Sequence, residues 1–140
     1  MAIFGLDVGE KRVGVAKFDP ETKIVTPVGV FLADKMDELV AKLATGDDDT
    51  LVVVGMPTNQ RGELTAQSEM VKIWTMKLKS SLPENVKLVF FGESGTTKIA
   101  IERLRERGFD DVKIREARAA GVIDAEAACV ILEGWAEENF

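Results

Sequence analysis

The sequence predicts an α/β fold in which a mixed five-stranded sheet carries helices on both faces. Three observations predict it. The first third of the chain contains three strand-like segments joined by tight turns, and helical and strand patterns alternate after that. A third is the run at 51–54, which is entirely apolar and typical of a strand buried on both faces. A length of 140 residues fits a single domain, which we expect to span residues 1–140.

The first three predicted strands cover residues 2–8, 12–18 and 23–31. Residues 9–11 form a short connection, and residues 19–22 form a turn with Pro20 at its second position. Parallel strands need a long crossover, which links this short cannot provide. The three strands are therefore predicted to be antiparallel neighbours.

The next predicted elements are a helix at 34–43, with Asp34 as its N-cap, and a strand at 51–54 that ends at 55–57. A helix at 65–80 follows, whose apolar stripe is formed by Met70, Ile73, Trp74 and Leu78.

The remaining predicted elements are a strand at 86–91, a helix at 97–107 that ends at Gly108, and a last helix that begins at Asp124. The last helix is predicted to bury Ala127, Ala128, Ile131 and Trp135. The complete order, β-β-β-α-β-α-β-α, is typical of ribonuclease H-like folds.

Composition excludes several kinds of chemistry. The chain has no histidine and a single cysteine, Cys129, which rules out an internal disulfide, a Cys/His nucleophile pair, a histidine base and a Cys/His zinc site. It begins without the pattern of a signal peptide and contains no apolar run of membrane-spanning length. We therefore expect a soluble cytoplasmic protein whose chemistry depends on carboxylates, hydroxyls, lysine or arginine.

The formal net charge of −6 argues against a nucleic-acid partner, because phosphate contacts supply most of that affinity. The charge is unevenly distributed, however. Residues 98–118 contain seven lysines and arginines against five acids, whereas 124–140 carry acids alone and 47–49 form an acidic loop. The basic segment is a candidate contact surface, although such a run is also typical of a solvated helix face.

Three carboxylates occur at the ends of predicted elements, where α/β proteins often build their sites. Asp7 closes the first strand, Glu93 follows the fifth, and Asp124 opens the last helix. Oxygen ligands without histidine suit Mg²⁺ or Mn²⁺. Each residue also has a structural explanation: Asp7 could accept bonds in the turn that follows it, Asp124 could be an N-cap, and Glu93 could be an ordinary loop acid.

The chain resembles the YqgF family of Holliday-junction-resolvase-like proteins, which are also regarded as candidate nucleases for the precursor of small-subunit ribosomal RNA. The resemblance covers nearly the whole chain in order and spacing. It is carried by Leu-Asp-Val-Gly-Glu-Lys-Arg-Val-Gly-Val-Ala at 6–16, Val-Val-Gly-Met-Pro at 53–57 with Gly62, Thr-Thr at 96–97, Ile-Asp-Ala-Glu-Ala-Ala at 123–128 and Ile-Leu-Glu at 131–133.

The resemblance implies an acidic site of Asp7, Glu93 and Asp124 that binds Mg²⁺ or Mn²⁺ and catalyses phosphodiester hydrolysis. The candidates for nucleic-acid contact are Lys11, Arg12, Arg61, Thr96, Thr97 and Lys98. The chain departs from the family where an Asp and an Arg usually flank the glutamate, because Gly92 and Ser94 stand there. An arginine can hold a phosphate bidentately and a serine cannot.

Two functions are therefore open from the sequence. The first is a metal-dependent endonuclease that acts on the 16S ribosomal RNA precursor or on branched DNA such as a Holliday junction. The alternative is a weakened member of the family that binds nucleic acid, ribosomal particles or a protein without cutting. The sequence leaves both the choice of RNA or DNA and the choice of monomer or dimer open.

Overall fold

A computed structural model describes residues 1–44, 46 and 48–140. Five strands form one sheet in the order β3-β2-β1-β4-β5. They are β1 (Ala2–Val8), β2 (Arg12–Asp19), β3 (Ile24–Leu32), β4 (Thr50–Pro57) and β5 (Val86–Glu93). β2 pairs antiparallel with both β1 and β3, whereas β4 pairs parallel with β1 and β5. The predicted mixed sheet is confirmed, including its antiparallel first three strands.

β4 is longer than predicted, because it continues through Gly55 and Met56 to Pro57 instead of stopping before them. Its pairing with β1 ends at Val54, and beyond that residue it pairs with β5 alone. A proline lacks the N–H that a central strand needs, but it is tolerated where one side of the strand has no partner.

The helices are α1 (Met36–Leu43), α2 (Ala66–Ser81), α3 (Thr96–Glu106), α4 (Asp111–Ala119) and α5 (Val122–Asn139). The N-cap of α1 is Lys35, so the prediction of Asp34 was wrong. Gly108 has the positive φ of 98° predicted for the residue that ends α3.

α4 was not predicted. Its only buried residues are Ile114 and Ala117, so its sequence lacks a wide apolar stripe. Its start could have been recognised, because the Asp110 side chain accepts a hydrogen bond from the Lys113 amide as an N-cap does. The predicted start of α5 was also wrong: Gly121 is the N-cap, and Asp124 is the third helical residue.

Helices cover both faces of the sheet. α1 and α2 pack on the face that carries Phe4 and Leu6, and α5 packs on the face that carries Ile3 and Val53. α3 and α4 pack against α5. Three residues of the stripe predicted for α2, Met70, Trp74 and Leu78, do pack in or against the core. Ile73 is exposed, contrary to the prediction, and Val71 is buried instead. This happens because the buried face of α2 also accommodates the polar side chains of Ser68 and Thr75.

Two further sequence predictions can be compared with the structure only over the residues that it describes. Asp47, the first residue of the predicted acidic loop, lies outside them. Within the described part of the chain, no helix combines the length and the apolar character needed to cross a membrane.

Candidate functional site

Asp7 lies near the carboxyl end of β1, on the face of the sheet that α5 covers. Side chains alternate along a strand, so Asp7 points to the same side as Ile3, which packs in the core beneath α5. Burial, and to a lesser extent the negative charge of Asp124, together raise the pKa of Asp7 from 3.8 to about 6. The two carboxylates are therefore close enough to interact electrostatically, as the sequence prediction required.

Glu93 is the last residue of β5 and lines a cavity of about 180 Å³ together with Asp7. Its side chain lies toward the second half of α5, because a Cβ atom added to Gly134 would stand 3.5 Å from Glu93 Oε2. Partial burial raises the pKa of Glu93, and the nearby Glu138 carboxylate raises it as well. The structure thus brings Glu93 and Asp7 to the same cavity.

Asp124 does not line this cavity, although its charge acts on Asp7. Its Oδ2 atom lies 3.2 Å from Nε of Arg12. This contact is an ion pair without a hydrogen bond. Oδ2 is buried, and it accepts no hydrogen bond from any residue that the structure describes. Arg12 also donates hydrogen bonds from Nη1 to the carbonyl of Ala119 and from Nη2 to the carbonyl of Arg118.

The cavity opens where three parallel strands end and α3 begins. Besides Asp7 and Glu93, its polar lining residues are Thr58, Gln67, Ser94, Thr96 and Thr97. Thr58 and Gln67 were missed from the sequence. The signal that could have found them is their place after β4, because ligands in open α/β sheets bind beyond the carboxyl ends of the strands.

The start of α2 is firmly attached at this edge, which determines where Gln67 lies. Thr65 and Ser68 form a capping box, in which each side chain accepts a hydrogen bond from the other residue's amide. The Ser68 hydroxyl also donates to the carbonyl of Pro57, the last residue of β4.

Five of the six predicted nucleic-acid contacts lie in or beside this edge. Lys11, Arg61 and Lys98 are exposed, and they follow β1, β4 and β5 respectively. Thr96 and Thr97 line the cavity itself. Arg12 differs from the others, because its guanidinium already contacts Asp124 and two backbone carbonyls and a phosphate would have to compete with them.

The basic segment at 98–118 is partly neutralised within the molecule. Glu126 is 5% exposed and accepts hydrogen bonds from Arg107, and it also lies 3.9 Å from Arg103. Arg103 pairs with Glu133 as well, and Arg105 pairs with Asp111. These three arginines dock α3 onto α5 and α4, so they add less to a contact surface than the sequence suggests.

The donor set suits a hard divalent cation in its chemistry but is incomplete in its geometry. Asp7 and Asp124 are two interacting carboxylates. The buried Oδ2 atom of Asp124 accepts no hydrogen bond among the described residues, and a cation would give it a partner. Within residues 1–44, 46 and 48–140, however, no three Asp, Glu, His or Cys side chains are grouped closely enough to hold a metal ion. Glu93, which turns toward α5, would have to rotate to join the other two.

Two other features lie away from this site. A larger cavity of about 620 Å³ is found at the opposite end of β1, lined by Met1, Phe18, Asp19 and Thr50 among others, and no predicted site residue lines it. Cys129 is buried in α5, and burial raises the pKa of its thiol to about 12, which agrees with its exclusion as a nucleophile.

Comparison with known proteins identifies the family. A family model described as "RuvX: Holliday junction resolvase" matches residues 1–138. A protein of Chlorobium chlorochromatii named "Putative pre-16S rRNA nuclease" is 30% identical over 137 residues, which cover 98% of this chain and 95% of the relative. A protein of the same name from Salinibacter ruber is 33% identical over 133 residues, covering 95% and 90% of the two chains.

Among solved structures, the Fowlpox virus resolvase in complex with Holliday junction DNA superimposes with a TM-score of 0.54 at 14% identity, covering 99% of this chain and 98% of the other. At that identity the likeness concerns the fold alone. It agrees with the strand order observed here, which is that of a ribonuclease H-like domain. The family match over 138 residues and the relatives at 30% identity or more carry the assignment: the chain belongs to the RuvX family, the Holliday-junction-resolvase-like group that its motifs resemble under the name YqgF.

Proposed function

We propose that the protein is a Mg²⁺- or Mn²⁺-dependent endonuclease that hydrolyses phosphodiester bonds in structured nucleic acid. One observation carries the proposal: Asp7 and Glu93 line one cavity at the carboxyl ends of the parallel strands, and the charge of Asp124 acts on Asp7 there. The names of the relatives support a nuclease, with the 16S ribosomal RNA precursor and Holliday-junction-like DNA as the two substrate classes. We propose further that residues 1–140 act as one domain in the cytoplasm.

In this proposal Asp7 is the central metal ligand, and Glu93 and Asp124 are the flanking ligands. Asp7 is half-buried, and its partly desolvated surroundings strengthen the charge interactions it makes. A bound divalent cation would supply a nucleophilic water and stabilise the charge that develops on the phosphate oxygens. The protein's own part is to hold these carboxylates close together, and the cation's charge would favour their ionised forms.

The edge around the carboxylates is suited to phosphate. α3 begins at the cavity with no acidic residue in its first turn and no side-chain cap, so its first amides and the positive end of its dipole are available to an anion. Thr96 and Thr97 would add hydroxyl donors, and the exposed cations Lys11, Arg61 and Lys98 would contact neighbouring phosphates.

The decisive experiment is a cleavage assay with Mg²⁺ and Mn²⁺ on two substrates, a four-way DNA junction and a transcript of the 16S precursor. Wild-type protein should cut at least one of them, and chelation of the metal should stop the reaction. The matched control is Asp37→Asn, which makes the same change at an exposed residue of α1 that does not line the cavity. Loss of cutting in Asp7→Asn but not in the control would attribute the activity to this site.

A second candidate function is binding without cleavage. It is favoured by the absence of a closed three-carboxylate group in the described residues and by Ser94 in place of an arginine that would hold phosphate. Binding of either substrate with no cleavage under any metal would support this reading over the first.

A further inference from the structure

Arg12 occupies an unusual position between two negatively charged groups. Its Nε lies 3.2 Å from Oδ2 of Asp124, and its two terminal nitrogens donate to the carbonyls of Arg118 and Ala119 at 2.9 Å and 3.2 Å. Those carbonyls belong to the last turn of α4, where a helix concentrates negative partial charge. One guanidinium thus joins the end of α4 to a carboxylate in the first turn of α5.

This arrangement offsets part of the repulsion between Asp124 and Asp7. The two half-buried carboxylates repel each other, and the charge of Asp124 helps to raise the pKa of Asp7. Arg12 compensates that repulsion with a positive charge on the side of Asp124 that faces α4. The compensation is incomplete, because the same Oδ2 atom makes no hydrogen bond among the described residues.

A divalent cation and a guanidinium cannot both be the close partner of one oxygen without repelling each other. We propose that Arg12 is a positioning residue that competes with the metal for Oδ2 of Asp124, so that metal binding releases Arg12 and loosens the junction between α4 and α5. The proposal rests on the metal-dependent function proposed above. It makes Arg12 a determinant of metal affinity and not a phosphate contact.

The test measures Mn²⁺ binding by titration calorimetry, in the full chain at about pH 7.5, where Asp7 is ionised. Arg12→Gln removes the charge but keeps a side chain that can donate to the α4 carbonyls, and it should bind Mn²⁺ roughly tenfold more tightly than wild type. Arg12→Lys keeps the charge and should stay near the wild-type affinity. Arg118→Gln removes a charge from the same end of α4 without touching Asp124, and it should also stay near wild type.

A second measurement observes Arg12 directly. In the NMR spectrum of wild-type protein, addition of Mg²⁺ should shift the Arg12 Nε–H signal and speed its exchange with water, because the contact with Asp124 is lost. Thermal melting without metal would establish that each variant is folded, and Arg12→Gln should melt lower than Arg118→Gln.

Equal or weaker Mn²⁺ binding by a folded Arg12→Gln, or an Arg12 signal that Mg²⁺ leaves unchanged while it binds, would overturn the inference and leave the proposed nuclease intact. If neither wild type nor Arg12→Gln bound Mn²⁺, the metal-dependent function itself would be wrong, and the competition with it.

Discussion

Asp7 shows how a single residue links stability to the proposed chemistry. Its pKa moves from 3.8 to about 6, mainly through burial, which corresponds to about 3 kcal/mol of destabilisation at neutral pH. The raised pKa means that the folded state holds this proton more tightly than the unfolded state does. The stabilising effect of protonation is therefore complete below about pH 4 and is lost as the pH rises through about 6.

Asp7→Asn should consequently abolish metal-dependent cleavage and at the same time stabilise the metal-free protein. The expected gain is about 1–3 kcal/mol at about pH 7.5, shrinking toward zero at about pH 4, where the wild-type carboxyl is already neutral. Urea unfolding at both pH values, with chelator present, measures the difference. A gain that is the same at both pH values would contradict the assignment of the effect to the ionised carboxylate.

Replacing Ser94 should change the affinity of the protein for nucleic acid. It lines the cavity beside Glu93, so the loop does face the candidate site. Ser94→Arg should tighten binding to a four-way junction or the RNA precursor and add about one phosphate contact to the salt slope. If the protein is a nuclease with a weakened grip, cleavage in Mg²⁺ should rise as well.

Salt titrations of binding and cleavage rates on both proteins check this prediction. Gly95 has a φ of 71° and bounds the loop, so some of the gain will be lost to the ordering of the new side chain. Unchanged binding would show that substrate does not pass over this loop. Tighter binding without cleavage in either protein would favour the binding function.

At the scale of elements, the approach of α5 to the sheet determines where Asp124 lies. A Cβ atom on Gly14 would stand 1.9 Å from the carbonyl oxygen of Asp124, and one on Gly5 would stand 2.8 Å from Cβ of Leu132. Gly14 is also the cross-strand partner of Asp7. The space left by its missing side chain therefore brings the first turn of α5 next to Asp7.

Gly14→Ala should move Asp124 away from Asp7, destabilise the fold by about 1–3 kcal/mol and weaken Mn²⁺ binding. Gly92→Ala is the matched stability control, because a Cβ atom there would meet nothing within 4 Å. Chemical unfolding of both variants and calorimetry of Gly14→Ala measure these effects. Equal stability of the two variants would mean that α5 shifts without cost and that its close approach is not required.

The whole molecule carries an excess of negative charge that a bound metal would reduce locally. The formal net charge is −6, and three arginines of the basic segment are committed to pairs within the fold. Nucleic-acid binding should therefore depend on a small number of exposed cations and on the metal, and not on a broad basic surface.

Mn²⁺ should accordingly raise the melting temperature of the wild-type protein. A ligand at about a hundred times its Kd stabilises by about 2.7 kcal/mol. In a chain of this size that shifts the melting temperature by about 5–11 °C. Asp124→Asn should lose most of the shift, whereas Asp48→Asn, at an exposed position far from the cavity, should keep it. A shift of the same size in all three proteins would place the cation elsewhere.

Much of the architecture followed from local signals. Short links made the first three strands antiparallel, an apolar run identified β4 as buried on both faces, and Gly108 marked the end of α3. The boundaries that were wrong have local causes too. β4 extends beyond the last residue that pairs with β1, and it can therefore include Pro57. α4 buries too little apolar surface for its sequence to show an apolar stripe.

The sequence by itself determined the family, the order of the strands along the chain and the three carboxylates worth testing, because motifs, turn lengths and apolar runs are local properties of the chain. Only the tertiary structure decided how those carboxylates relate to one another. It brought Asp7 and Glu93 into one cavity, turned Glu93 toward α5 and paired Asp124 with Arg12. These outcomes depend on how closely α5 approaches glycines of strands that are distant from it in sequence. They also depend on one guanidinium that contacts the ends of two helices. Neither relation can be predicted from a local sequence pattern, because each joins segments that are far apart along the chain.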